Sequence, residues 1–349
     1  MTVITRNNNF NLLRLIAAFL VVVSHSYGLL GAGLQQPLLP MREGRIIPSD
    51  LGLYVFFTIS GYLIFKSLVA SATYLQYLWK RFLRIVPALA MVNLVCVITG
   101  LFLTVLPAGE YLSSAETWRY LLVNTSLVAN QFQLPGVFTT LEDRSINASL
   151  WTILVEVKFY ILLMLAQMVG ITRKRTLVLG CFAIFHISWL YFSVYKVSVA
   201  GVQPEVYFNF GSYFFIGVLF ACFPQLLKLK WWLPLILLVT ALFLNAPFNN
   251  SLISLSLPYF ILKAGQSKPL WGIHKADYSY GLYLYAFPVQ QMVILVAGKG
   301  IPVVAHIVIS TVIVLIFAAL SWHFIENPAL QKKAALSALF KKRSSLLTR

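Results

Sequence analysis

Residues 12–30 of the chain are LLRLIAAFLVVVSHSYGLL, and Arg14 and His25 are the two side chains in this stretch that can carry a charge near neutral pH. A helix needs about 20 mostly apolar residues to cross the hydrocarbon core of a bilayer, and this run has that length. It lacks a small-residue cleavage site and it contains charged positions. We therefore interpret it as a retained transmembrane helix and not as a cleaved signal peptide.

Nine further apolar runs follow. In the whole chain 59% of the residues are hydrophobic and 11% are charged, whereas soluble domains carry about 25% charged residues. The sequence therefore predicts an all-α polytopic membrane protein, a bundle of about ten transmembrane helices. The two shortest spans have prolines within or beside them, and we expect these spans to be tilted or partly re-entrant. The predicted spans are 12–30, 51–70, 85–106, 148–169, 177–195, 207–223, 231–245, 250–263, 278–297 and 302–325.

The cations are distributed unevenly between alternate loops. With a cytoplasmic N-terminus, 20 of the 27 Lys and Arg residues fall in cytoplasmic segments and six fall in outer loops. Such an excess marks the cytoplasmic side of membrane proteins. We therefore expect both termini in the cytoplasm, a transmembrane domain over 1–330, and a basic tail over 331–349 that rests on anionic membrane lipid. The net charge of +17 is thus explained by orientation, and no nucleic-acid partner is expected.

Two predicted outer loops, 31–50 and 107–147, are long. The second contains Glu110, Glu116, Glu142 and Asp143. A loop of this length in a compact bundle often has a function, such as covering a site or meeting a polymer. The alternative interpretation is a linker.

Inserting a titratable residue into a membrane span costs about 2.5–3.5 kcal/mol of free energy, so each such residue in the predicted spans is a functional candidate. Glu156 lies roughly 12 Å below the outer boundary of its span and His25 roughly 8 Å from that boundary. An imidazole and a carboxylate at comparable depth can together take a proton from a hydroxyl nucleophile. The alternative is a structural ion pair. His186 and His306 are isolated on apolar runs, so we expect both to be satisfied core residues.

Arg81 and Arg84 lie three residues apart and so share one helix face. Two guanidinium groups at the cytoplasmic end of a span suit bidentate phosphate binding, and Arg14 would complete an anion pocket there. The alternative is ordinary anchoring by positive charge. Ser60 and Gly61 form a pair of small residues midway through their span. Such a pair either allows close helix packing or leaves a narrow channel.

Six segments in a fixed order carry a further pattern. They are Arg14 and His25 with ten residues between them, Val55–Ile64 around Ser60-Gly61, Arg81–Pro87, Ser149–Thr152 followed by Glu156 and Phe159-Tyr160, Tyr278–Tyr285, and Glu326–Pro328. Together they resemble the acyltransferase-3 family of membrane O-acyltransferases over nearly the whole chain. One position departs from the pattern. Many members place a histidine after the Tyr-Leu pair of the ninth span, where this chain has Tyr285-Ala286.

The resemblance implies transfer of an acyl group from cytoplasmic acetyl-CoA to a hydroxyl of a glycan outside the bacterial cytoplasmic (inner) membrane. The glycan would be a lipid-linked or nascent surface polysaccharide, such as O-antigen or exopolysaccharide. Succinyl is an alternative acyl group. The resemblance also implies that Arg14, Arg81 and Arg84 hold the phosphates of the coenzyme, and we expect Ser60 to contact its pantetheine arm.

By the same resemblance, His25 would be the catalytic base or a transient acyl carrier, and Glu156 would support it. No metal is expected. Two other functions fit intramembrane charges without this chemistry: a transporter or flippase for a lipid-linked glycan, and a scaffold of a polysaccharide assembly complex. Consumption of acetyl-CoA would distinguish the enzyme from both.

Overall fold

A computed structural model describes residues 8–37, 46–198, 204–270 and 276–332. The described chain is helical, which confirms the predicted fold class. Its helices are α1 Phe10–Leu29, α2 Pro48–Val69, α3 Tyr74–Leu103, α4 Ala108–Ser113, α5 Ala115–Ser126, α6 Leu150–Met168, α7 Arg175–Tyr195, α8 Pro204–Cys222, α9 Trp232–Ala241, α10 Phe248–Gln266, α11 Ser279–Ala297 and α12 Val303–Ser321, and a π-helical turn, Trp322–Glu326, follows α12.

Within the described ranges, eight helices are long and apolar enough to cross a membrane. They correspond to all of the predicted spans except 231–245 and 250–263. Helix α9 has 10 residues and is therefore about 15 Å long, half the thickness of the hydrocarbon core. Helix α10 has 19 residues, but asparagines and serines interrupt its apolar sequence. The cytoplasmic location of the termini stays a prediction, and 38–45 of the first outer loop and 333–349 of the tail lie outside the described residues.

The chain divides into two compact units. The described residues of the first unit fall within Met1–Ser24, Gln35–Ala70 and Lys158–Asp277, and those of the second fall within His25–Leu34, Ser71–Val157 and Tyr278–Arg349. The boundaries between them fall within α1 and α6, after Ser24 and Val157.

In the first unit, α2 and α8 pack with their backbones in direct contact. A Cβ atom added at Gly61 would overlap the carbonyl oxygen of Phe214, and one added at Gly217 would overlap that of Thr58. Small residues permit such an approach between membrane helices. The close-packing interpretation of Ser60-Gly61 therefore agrees with this contact.

Substitution of Gly61 is expected to separate α2 from α8. Gly61→Ala should lower the stability of the protein by about 1–3 kcal/mol, because the added methyl group meets backbone that cannot rotate away. Thermal unfolding in detergent measures the loss. Gly180→Ala in α7 is the matched control, since a Cβ there meets nothing within 4 Å. Equal stability of the two variants would contradict the contact.

The first unit also contains a buried hydrogen-bonded histidine. His186 Nδ1 lies 2.9 Å from the Ser212 hydroxyl and Nε2 lies 2.8 Å from the Ser251 hydroxyl. These bonds join α7 to α8 and α10. The expectation that His186 is a satisfied core residue is confirmed.

In the second unit, most of the predicted outer loop 107–147 is ordered against helices. Part of it forms α4 and α5, which pack on α3, and the Tyr111 hydroxyl donates to the Val97 carbonyl at 2.9 Å. Tyr111 and Tyr120 are fully buried. The sequence did not predict these two helices, which are shorter and less apolar than the spans.

The end of the same loop runs along α11. Gln291 Nε2 donates to the carbonyl of Asp143 at 2.7 Å, and Asn147 Nδ2 donates to that of Leu284 at 2.9 Å. Leu284 precedes Pro288 by four residues, and proline has no N–H to donate back along a helix. Asn147 therefore satisfies a carbonyl that Pro288 leaves free. Non-helical backbone at membrane depth is tolerated where protein buries it, and Asn147 is fully buried.

Candidate active site

His25 lies in the second unit, where the end of α1 meets α11. Its ring packs edge-on against Phe287, with the ring centroids 5.3 Å apart and the planes at 82°. Its Nδ1 atom is buried and has no hydrogen-bond partner among the described residues. The next residue, Ser26, accepts a hydrogen bond from Gln290 Nε2 at 2.7 Å. Packing and the neighbouring bond therefore hold the imidazole, and Nδ1 contributes no hydrogen bond to its orientation.

Glu156 lies on the face of α6 that meets α11. Thr152, one turn earlier on the same face, has its hydroxyl 2.5 Å from the Tyr283 hydroxyl. Tyr283 also donates to the Ser149 carbonyl at 3.3 Å. The Glu156 carboxylate is close enough to Tyr283 to act on it electrostatically. The start of α6 thus presents the Thr152 hydroxyl and the Glu156 carboxylate to Tyr283 of α11.

One stripe of α11 connects these two groups. Tyr283, Phe287 and Gln290 recur at helical spacing and so share a face. Tyr283 contacts the Thr152 side of α6, and Phe287 contacts His25. Because Phe287 is one turn beyond Tyr283, the two contacts are about 6 Å apart along the α11 axis. The direct pairing of His25 with Glu156 stays a prediction.

Asp143 is a carboxylate near the imidazole that the sequence did not single out. It lies within electrostatic range of His25, while its carboxylate accepts from the Ser145 N–H at 2.8 Å. Its side chain is exposed. The available signal was its membership in the acidic outer loop 107–147. What the sequence could not show is that this loop turns back along α11 and brings the acid within electrostatic range of His25.

In the second unit, Arg84 forms an ion pair with Glu326 of the π-helical turn. The closest N–O distance is 3.3 Å, with 14% of the Arg84 side chain and 2% of the Glu326 side chain exposed. The Ser321 hydroxyl donates to the other carboxylate oxygen at 3.0 Å. The guanidinium carbon of Arg84 also lies 5.3 Å from the ring centroid of Tyr280. Arg84 therefore has a structural partner, which the sequence did not predict.

Arg14 has a similar arrangement in the first unit. Its guanidinium lies 3.5 Å from the Asp277 carboxylate and 5.9 Å from the ring centroid of Phe56. Arg81 lies one turn before Arg84 in the second unit, next to Tyr77. Arg14 belongs to a different unit from Arg81 and Arg84, so the shared anion pocket stays a prediction.

Ser60 lies in the first unit, beside the contact of α2 with α8. Its side chain is 3% exposed, and the Tyr160 hydroxyl donates to it at 3.5 Å. Its contact with a coenzyme also stays a prediction.

Comparison with known proteins gives a consistent result. A family model described as an acyltransferase domain, acyltransferase-3, matches residues 7–323. An O-acetyl transferase of Shigella phage Sf6 is 28% identical over 347 residues, covering 94% of this chain and 98% of that protein. Nodulation protein 10 of Rhizobium leguminosarum bv. viciae is 29% identical over an alignment of 370 positions, which covers 95% of each chain. No solved structure matches significantly.

The family match covers the helices of both units, from α1 into the turn after α12. It includes His25, Glu156 and the three arginines singled out by their spacing. The fold agrees as well, since a multi-pass bundle of apolar helices is what the described residues form. The chain therefore belongs to the acyltransferase-3 family and is a membrane O-acyltransferase.

Proposed function

We propose that this O-acyltransferase moves an acetyl group from cytoplasmic acetyl-CoA to a hydroxyl of a surface glycan on the outer side of the bacterial inner membrane. The acceptor would be an O-antigen or exopolysaccharide sugar in a lipid-linked or nascent chain. The name of the phage relative, O-acetyl transferase, supports the acyl group. The observation that carries the proposal is the α11 stripe, which has His25 on Phe287 and the Thr152–Glu156 face on Tyr283.

In the proposed reaction, His25 takes the proton of the acceptor hydroxyl as its oxygen attacks the thioester carbonyl. The carbon–oxygen bond forms and the carbon–sulfur bond breaks. The proton held by the imidazole passes to the departing thiolate, so the products are an O-acetyl ester and free coenzyme A. Asp143 and Glu156 would stabilise the transient imidazolium by their negative charge. An acyl-imidazole intermediate is the alternative role for His25.

The arginines would bind the coenzyme from the cytoplasmic side. A guanidinium group has five N–H donors, so Arg14 and Arg84 can keep their carboxylate partners and still donate to a phosphate. Arg81 would add a third cation on the same face of α3 as Arg84. Ser60 would contact the pantetheine arm.

Arg81→Gln is expected to raise the KM for acetyl-CoA roughly 10- to 100-fold, because one charge-assisted hydrogen bond to phosphate is lost. The kcat should stay near that of the wild type, because Arg81 does not touch the reacting atoms. The measurement is release of free thiol against acetyl-CoA concentration in inverted membrane vesicles. Lys80→Gln, at the adjacent position, is the control. A fall in kcat with an unchanged KM would contradict the role of Arg81 in coenzyme binding.

The proposed function itself is tested by two products of one reaction. Membranes that contain the protein and its glycan acceptor should release coenzyme A, and mass spectrometry of the glycan should show one added acetyl group per thiol released. A flippase would move the glycan and leave the thioester intact. Glycan movement without acetyl-CoA consumption would therefore overturn the proposal.

A further inference from the structure

His306 of α12 is fully buried in the second unit. Its Nε2 atom lies 3.0 Å from the main-chain carbonyl oxygen of Gln290 in α11. A carbonyl oxygen can only accept, so Nε2 must carry the hydrogen and donate it. This hydrogen bond holds the His306 imidazole at Nε2, while its Nδ1 atom has no hydrogen-bond partner among the described residues. The sequence-based expectation of a satisfied core histidine is therefore met at Nε2 only.

The side chain of the same Gln290 continues the contact to α1. Gln290 Nε2 donates to the Ser26 hydroxyl at 2.7 Å. Gln290 and Ser26 are both fully buried, and Ser26 directly follows His25. Two hydrogen bonds therefore connect His306 to the residue next to the proposed catalytic imidazole, and all four residues belong to the second unit.

His25 depends on such an indirect connection. Because its Nδ1 makes no hydrogen bond to a described residue, its orientation relies on Phe287 and on the placement of its own backbone. Phe287 and Gln290 lie three residues apart on α11, so a shift of α11 moves both contacts together. A displacement of about 1 Å at a reacting group can cost about 100-fold in rate.

We propose that His306 is a positioning residue for His25. Its hydrogen bond to Gln290 fixes the position of α11 along the helix axis. In that position Gln290 donates to Ser26 and Phe287 packs against the imidazole. The proposal rests on the proposed function of His25. This positioning role would involve α12 in the reaction, although the sequence of α12 is largely apolar.

The test compares two substitutions at one position. His306→Leu removes the donor, and kcat for acetyl transfer should fall roughly 10- to 100-fold while the KM for acetyl-CoA stays unchanged, because misplacement affects the reacting group alone. His306→Gln places an N–H donor where Nε2 was and should restore most of kcat. Ser310→Ala, buried on the same face of α12, is the control and should retain wild-type activity.

A second variant tests the connection. Gln290→Leu should reproduce the loss in kcat, and the double variant His306→Leu/Gln290→Leu should lose no more than either single variant, since coupled residues are not additive. Full additivity would overturn the proposal. So would a folded His306→Leu protein with wild-type kcat, or a loss expressed as a higher KM.

One readout does not require acyl transfer. The rate at which diethyl pyrocarbonate modifies His25, measured by peptide mass spectrometry, reports the surroundings of the ring. His306→Leu should change this rate at His25, leave it unchanged at His186 in the other unit, and His306→Gln should restore it. If the wild type transfers no acetyl group, the proposed function fails, while an unchanged rate at His25 would overturn the positioning role by itself.

Discussion

Replacement of His25 with alanine is expected to lower the rate of acetyl transfer by about 10²–10⁴-fold, the contribution of a positioned general base. The imidazole packs on Phe287 within electrostatic range of Asp143. Alanine removes the proton acceptor and leaves the arginines in place. The KM for acetyl-CoA should therefore remain that of the wild type. A variant that binds the coenzyme normally but transfers almost nothing is the expected result.

Two further variants separate chemistry from packing. His25→Gln keeps a polar side chain of similar size but cannot take a proton, so it should be as inactive as His25→Ala. His323→Ala is the matched control, because His323 is an exposed histidine near the end of the described chain and should leave activity unchanged.

The measurement is the acetyl content of the surface glycan, determined by mass spectrometry in cells that contain equal amounts of each variant in the membrane. Full acetylation by a well-inserted His25→Ala protein would reject His25 as the base and as an acyl carrier. Loss of acetylation in His323→Ala would instead indicate general disruption of the bundle.

The second large effect is expected at the ion pair of Arg84 with Glu326. Arg84→Met removes the cation that lies 3.3 Å from the Glu326 carboxylate, which is 2% exposed. Removal of one partner of a buried pair costs about 3–5 kcal/mol, because the remaining charge cannot reach water. Glu326→Gln should cost less, because the Arg84 side chain retains 14% exposure. Thermal unfolding in detergent measures both losses.

The double variant Arg84→Met/Glu326→Gln removes both charges, and the amide introduced in place of the Glu326 carboxylate keeps an acceptor for the Ser321 hydroxyl. Replacement of a whole buried ion pair by neutral groups is often neutral or stabilising, so the stability of this variant should return close to that of the wild type. A double variant as unstable as Arg84→Met would contradict the pairing.

The same double variant measures the coenzyme role of Arg84. If its guanidinium also binds phosphate, the stable double variant should have a KM for acetyl-CoA raised by about tenfold or more. A stable double variant with wild-type KM would make Arg84 structural and would leave Arg14 and Arg81 as the proposed phosphate ligands.

Hydropathy predicted the spanning helices well. Eight of the ten predicted spans are helices of spanning length and composition in the described chain, because the cost of exposing backbone and polar groups to lipid is set by local sequence. The two exceptions, α9 and α10, lie where the spans were short and prolines were near. The loop helices α4 and α5 were missed, since they are held by contacts with α3 and not by an apolar run of their own.

The candidate residues were also identified from features of the local sequence. His25 and Glu156 were selected because titratable groups inside a span are expensive to insert, and Arg84 was selected because it shares a helix face with Arg81. His186 was correctly predicted to be satisfied in the core. Their partners were not found. Glu326 is 242 residues from Arg84 in the chain, and Asp277 is 263 residues from Arg14. No spacing rule connects such distant positions.

The amino-acid sequence by itself determined which segments enter the membrane and which polar side chains they carry, because transfer into lipid depends on the composition of each segment. Only the tertiary structure decided which helices meet, and with them the contact of His25 with Phe287, the return of Asp143 along α11, and the bond of His306 to Gln290. Helix pairing depends on close packing between surfaces far apart in the chain, and that complementarity is a property of the folded bundle.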